Sequence, residues 1–128
     1  MNIVDSCGWL EYFADGQNAE IFAPIIENTA ELLVPVISIY EVFKRVLQQR
    51  DESAALQAIA LMQQGQIVLL NVEVSLLAAK LSVEYRLPMA DSLILATARQ
   101  QNASLWTQDA DFAHVSDVKF FPKPPLNS

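Results

Sequence analysis

Met1-Asn2-Ile3-Val4-Asp5-Ser6-Cys7-Gly8 opens the chain. A short apolar run that ends on an acid and passes at once into a helical pattern reads as strand, tight turn, helix. From Cys7 to Ala14, Trp9, Leu10 and Phe13 recur at helical spacing, and Asp15-Gly16 stops the pattern. In an open sheet of alternating strands and helices, ligands gather outside the carboxyl ends of the strands, near the point where strand order reverses. Asp5 would stand at such an edge, and its chemistry depends on which other side chains reach it.

Four more apolar runs read as strands: Leu32-Leu33-Val34-Pro35-Val36, Ile67-Val68-Leu69-Leu70, Ser104-Leu105-Trp106-Thr107 and Val118-Lys119-Phe120-Phe121. Helical patterns fill the intervals, over 19–28 (with Pro24 awkwardly inside), 38–49, 51–64, 74–85 and 90–101, with a short helical turn at 110–114. Short, wholly apolar strands alternating with helices predict an α/β fold with a parallel sheet covered on both faces. The alanine-rich helix over 90–101 should be buried on most sides. The helical pair between the second and third strands exceeds what one crossover needs and is expected to pack as an arm beside the sheet or at a dimer interface. One domain is expected over residues 1–121, followed by an exposed Pro-rich tail over 122–128.

The 128 residues suffice for a single core. A hydrophobic share of 52% with 18% charged residues excludes disorder. So apolar a small domain is expected to hide surface in a homodimer or against a bound partner. The net charge of −7 argues against a nucleic-acid binder built on basic patches. Acids that hold divalent cations escape that exclusion, because the metal becomes the largest local charge. Acidity also suits a basic protein partner. A single cysteine leaves no disulfide framework and no cysteine zinc site, and Cys7 reads as a small core residue in a reducing compartment. With no basic, apolar leader and no apolar run near the roughly 20 residues that span a bilayer, a cytoplasmic protein without membrane association is expected.

Acids follow the strands. Asp5 ends the first, Ser38-Ile39-Tyr40-Glu41 starts the helix after the second, and Thr107-Gln108-Asp109-Ala110-Asp111 follows the fourth. Pro88-Met89-Ala90-Asp91 puts another acid in the first turn of the alanine-rich helix. Each has a bland explanation. Asp5 and Asp109 could be N-caps, Ser38-x-x-Glu41 fits a capping box, and Asp91 could answer a helix dipole. Capping does not explain why all four should meet at one sheet edge. Like charges in contact are costly unless a cation neutralises them. Carboxylates without His or Cys select Mg²⁺ or Mn²⁺. Two such ions about 3.5–4 Å apart clamp the attacking and leaving oxygens of a phosphodiester and acidify a water, which points to metal-assisted phosphodiester hydrolysis.

The runs Ile3-Val4-Asp5-Ser6, Ser38-Ile39-Tyr40-Glu41, Ala90-Asp91-Ser92-Leu93-Ile94-Leu95-Ala96-Thr97-Ala98 and Leu105-Trp106-Thr107-Gln108-Asp109-Ala110-Asp111-Phe112 together resemble the PIN domain, specifically the VapC type of toxin ribonuclease. The similarity runs from residue 3 to about 121, with the Asp91 and Asp109 segments its most specific parts. The resemblance implies a three-layer sandwich with a central five-stranded parallel sheet flanked by helices. It implies an Mg²⁺- or Mn²⁺-dependent endoribonuclease that cuts RNA with a metal-activated water, forms homodimers, and is held inactive by a cognate antitoxin. It also implies Asp5, Glu41, Asp91 and Asp109 as the catalytic acidic quartet. Asp5 and Asp91 would be the principal metal ligands, with Glu41 and Asp109 ligating directly or through water. Thr107 or Ser6 would support a carboxylate, and Asp111 would be a supporting acid or a cap.

Lys44, one helical turn from Glu41, is a candidate phosphate contact, although a basic pair on a helix face is usually just solvated. His114 has no partner at ligand spacing. A receiver-like phospho-acceptor domain is excluded, because Leu70-Asn71-Val72 offers no acceptor Asp after the third strand. The remaining alternative is a non-catalytic PIN-like binding protein that sequesters a basic partner.

Overall fold

The computed structural model describes residues 1–125. Side-chain alternation along the strands sorts the core into two halves. The strands β1 (Asn2–Val4), β2 (Leu32–Pro35), β3 (Gln66–Val68), β4 (Ser104–Thr107) and β5 (Lys119–Phe120) lie in the order β3-β2-β1-β4-β5, every neighbouring pair parallel. Ile3 pairs with Leu33 on one side and Leu105 on the other. These three side chains pack against helices α5 (Val72–Tyr85) and α6 (Met89–Gln100), through Val74, Ala78, Leu81, Ile94 and Leu95. Val4, Leu32 and Val34 point the other way, into Trp9 of α1 (Ser6–Phe13), Phe22 of α2 (Ala19–Glu27), Val42 and Val46 of α3 (Val36–Gln49), and Ala55 and Met62 of α4 (Glu52–Met62). The result is the expected three-layer sandwich around a five-stranded parallel sheet.

Several boundaries move for local reasons. The third strand ends at Val68, and Leu69 and Leu70 are exposed. Asn71 accepts from the Val74 amide at 2.9 Å and so starts α5 earlier than expected, which takes the end of the apolar run into the connection. Helix α3 begins at Val36 because Pro35, the last residue of β2, is extended at φ −60° and ψ 136° and serves as its cap. Pro24 lies inside α2 and is exposed, so the helix forgoes one backbone bond there. Helices α3 and α4 pack on one another, and their apolar faces join the core half under α1 and α2. Among the described residues no helix is long and apolar enough to cross a membrane. Residues 126–128 of the expected tail lie outside the described residues.

Gly8 fixes how closely α1 lies against β1. A Cβ there would overlap Val4 Cγ1 and stand 3.2 Å from the Phe22 ring. Overpacking a buried contact costs about 1–3 kcal/mol, against about 1 kcal/mol gained by replacing a helical glycine. Gly8→Ala is therefore expected to lower the urea midpoint with an unchanged m-value. An equal or higher midpoint would show that Val4 steps aside at no cost.

Candidate metal centre

The chain runs from β1 outward through β2 and β3, then returns to place β4 on the other flank of β1. Strand order therefore reverses at β1, and a crevice opens at the carboxyl ends of β1 and β4. Asp5, 1% exposed, sits at that point as the N-cap of α1. Its Oδ1 accepts from the Gly8 amide at 2.9 Å, and its Oδ2 accepts from Thr107 Oγ1 at 2.5 Å. Thr107, the fully buried last residue of β4, also accepts the Asp109 amide on the same Oγ1 at 2.9 Å. Asp109 caps the short 3-10 turn Ala110–Phe112 by accepting from the Asp111 amide at 2.9 Å.

Asp91 enters from the first turn of α6. One carboxylate oxygen from each of Asp91, Asp109 and Asp111 lies within 4.8 Å of the others, and Asp109 stands equally close to Asp5 and the Cys7 sulfur. Asp109 thus links the two groups. Glu41 belongs to neither. Its Oε1 accepts from Ser6 Oγ at 2.6 Å, and its charge is felt at Asp5. Ser38-x-x-Glu41 forms no capping box, since Pro35 is the cap and the buried Ser38 hydroxyl has no partner among the described residues. Lys44 lies one turn beyond Glu41, exposed, with Nζ 5.7 Å from the Tyr40 ring centre. His114 contacts the Tyr85 carbonyl at 2.7 Å and takes no part in either acidic group.

The PIN domain family model matches residues 3–118. This chain belongs to the PIN domain family. Among solved structures, it is similar to a toxin–antitoxin complex from Klebsiella pneumoniae, at TM-score 0.73 and 22% identity over 92% of this chain and 95% of that one. It is similar to Mycobacterium tuberculosis VapC20, described as a sarcin–ricin loop cleaving toxin, at TM-score 0.75 and 15% identity over 95% and 100% of the two chains. DNA-bound VapBC from Salmonella typhimurium matches at TM-score 0.72 and 11% identity, over 97% and 100%. Among curated proteins, none matches.

Burial governs the charge state of this PIN domain's crevice. It pushes the Asp5 carboxyl up from 3.8 to about 7, helped by Asp109 and Glu41 and opposed by the Thr107 and Gly8 hydrogen bonds. Asp91 is likewise raised, first by burial, then by the charges of Asp109 and Asp5, then by a hydrogen bond with Asp111. Carboxylates pressed together this way repel, and a divalent cation removes the repulsion. The donor set fits a hard cation: the oxygens are close enough to share an ion, and no imidazole is among them. Cys7 is the one soft atom. Burial and the surrounding acids hold its thiol protonated, 3.8 Å from Asp109 Oδ2, which does not suit it to ligate a hard ion.

Sequence reasoning missed three residues here. Cys7 is only half-buried and lines the crevice. Asn18 is buried, and its Nδ2 donates to Gln108 Oε1 at 3.1 Å, to the Pro122 carbonyl at 3.3 Å and to the Phe121 carbonyl at 3.4 Å, tying the residue before Asp109 to the end of β5. Glu11, 5% exposed, accepts the Asn18 amide at 2.9 Å and lies 3.8 Å from Lys123. The fold is tight there, since a Cβ on Gly16 would overlap the Glu11 carboxyl.

Asp5 stays protonated in the fold up to about pH 7, whereas the unfolded chain ionises it near 3.8. The difference stabilises the fold at low pH and is lost as pH rises through about 7, a change on the order of 4 kcal/mol. In EDTA, melting temperature is expected to fall between pH 4 and pH 8. Mg²⁺ should restore it most at pH 8, and Asp5→Asn should reduce both responses to the part that Asp91 contributes. A wild-type melting temperature that rises toward pH 8 in EDTA would refute the repulsion argument.

Proposed function

We propose that this chain is a divalent-metal-dependent endoribonuclease, the toxin half of a VapC-type toxin–antitoxin pair, with residues 1–121 as the catalytic domain and 122–128 as a tail. The observation that carries the reading is the convergence of Asp5, Asp91 and Asp109 on the crevice of a PIN fold, with two of their carboxyls raised by burial and mutual charge. Asp5, Asp91 and Asp109 would hold Mg²⁺ or Mn²⁺, and Glu41 would join directly or through water. When bound, the cation lowers the pKa of a water and neutralises charge on the phosphate.

The chain's own residues do the rest. Thr107 and Ser6 lock the Asp5 and Glu41 rotamers through short hydroxyl-to-carboxylate bonds, and Asp111 lies beside Asp91 and Asp109 as a supporting acid. Lys44 lies beside Glu41, where it would meet a phosphate of the strand. Water attacks phosphorus, the bond to the 3′ oxygen breaks, and that oxygen departs as a hydroxyl, leaving a 5′-phosphate on the other fragment. The only histidine is held at the Tyr85 carbonyl, so no histidine pair is present to drive attack by a ribose 2′-hydroxyl.

The likeness to structures of toxin–antitoxin complexes supports an antitoxin partner, and the net charge of −7 suits a basic one. The homodimer belongs to the same proposal. Val72, Leu76 and Val83 share one face of α5 and are 73%, 62% and 84% exposed, an apolar stripe for a second copy to cover. A cytoplasmic location follows from an RNA substrate.

Purified, antitoxin-free protein is expected to cut RNA in Mg²⁺ and to stop in EDTA. Asp5→Asn and Asp91→Asn should each lose more than about 100-fold in kcat, and Thr107→Val about 10–100-fold. Product ends should be 5′-phosphate and 3′-hydroxyl; 2′,3′-cyclic phosphate would refute attack by water. Wild type as inert as the variants on several RNAs would replace catalysis with the reading of a sequestering binder. Co-expression of the adjacent small open reading frame should rescue growth and co-purify, and failure of both would remove the antitoxin from the proposal.

A further inference from the structure

We infer that the exposed face of α3 beside Glu41 binds an unpaired RNA strand, with Tyr40 as the platform on which a base next to the cut stacks and Lys44 and Arg45 as its phosphate contacts. This rests on the nuclease reading and adds the surface that holds the strand and the ring on which a base stacks. Tyr40 is 60% exposed, an unusual position for a large aromatic ring. The other tyrosines are engaged, Tyr12 with Glu27 and Tyr85 with Arg99 and His114. Among the described residues Tyr40 makes only the cation–π approach of Lys44 from the same helix, so its ring is available to another flat group.

The cations nearby are equally available. Elsewhere Arg99 is paired with Asp117, Lys123 lies near Glu11 and Lys119 sits 4.4 Å from the Trp106 ring centre, while Arg50, Lys80 and Arg86 also form no salt bridge among the described residues. Lys44 and Arg45 form no salt bridge among the described residues. With Tyr40, Glu41 and Gln48 they line one open cavity of about 360 Å³. Spacings of three and four residues put Tyr40, Glu41, Lys44, Arg45 and Gln48 on adjoining rows of the helix surface, a strip about 12 Å long. Glu41 connects that strip to Ser6 and the crevice. A strand whose scissile phosphate meets the carboxylates and that leaves on the Glu41 side would pass next over Tyr40 and the two cations.

A stacking platform selects for strandedness. Within a duplex the base faces are already covered by neighbouring bases, whereas an unpaired base offers a face to an aromatic ring. The basic pair adds phosphate affinity without reading sequence.

Fluorescence anisotropy in EDTA with the full chain separates these roles, using a mixed-sequence single-stranded RNA and its duplex as probes. Wild type should favour the single strand. Tyr40→Ala should weaken single-strand binding about 5- to 150-fold, the range given by about 1–3 kcal/mol per stacked base, and leave duplex binding unchanged. Tyr40→Phe should retain wild-type affinity. Lys44→Ala should weaken both probes and reduce the salt slope by about one. Tyr40→Ala with wild-type affinity overturns the inference; if it instead turns a dimer into a monomer, the strip is an interface between copies. Metal-dependent cleavage by wild type is scored separately, so the platform can fail while the nuclease stands.

Discussion

One hydroxyl holds the two halves of the acidic site together. Thr107 Oγ1 donates its single proton to Asp5 and accepts the Asp109 amide. A threonine has one donor and two lone pairs, so this pairing uses its donor and leaves one lone pair over. It works only because β1 and β4 are adjacent and in register: Val4 faces Trp106, and the residues that follow, Asp5 and Thr107, meet at the same height. Placing β4 beside β1 is in turn the work of topology, which sends the chain back across the sheet after β3. The position of Asp109 is thus tied to that of Asp5 through a rigid sheet rather than through the loop in which Asp109 lies.

This geometry holds the fold under electrostatic tension. Two hydrogen bonds favour the Asp5 anion, yet burial and two neighbouring carboxylates outweigh them and raise its pKa. The surrounding packing sustains the arrangement. Ile3 and Val4 are fully buried on opposite faces of the strand that carries Asp5, and α6, which carries Asp91, is buried from Ile94 to Ala98. A rigid scaffold can hold like charges at contact distance, whereas a loose one would let them part. The acids cost stability where they stand, and their arrangement makes sense as a site prepared for a cation.

Much of this was legible because it depends on short-range pattern. Apolar runs gave the strands, alanine spacing gave the buried helix, and acids after strands gave the edge. Glu41 was ambiguous for a concrete reason. Serine three residues ahead of glutamate is a cap signal, but Pro35 ends β2 and caps the helix first, which frees Glu41 to reach Ser6. A lone cysteine reads as a core residue because cysteine is usually buried; its place in the first turn, where side chains lean toward the helix N-terminus, is the clue that it faces the crevice. Asn18 with Gln108 could not be found in this way. Those two residues are 90 positions apart, Asn18 stands in no motif, and only the folded chain brings them together.

Net charge misleads for this protein because interactions between exposed charges fade over a Debye length, about 8 Å at physiological ionic strength. A total of −7 summed over the whole surface therefore says little about what a phosphate meets at one spot. In the crevice the acids turn inward on one another, and a bound cation reverses the sign that a phosphate would feel. One turn away, Lys44 and Arg45 stand with no acid paired to them among the described residues, while Glu41 is held toward Ser6. Acidity spread over the remaining surface would then repel a polyanion that approaches elsewhere. On this argument the negative charge is no obstacle to a polyanionic substrate, because it narrows the productive approach to the one edge where the carboxylates are gathered.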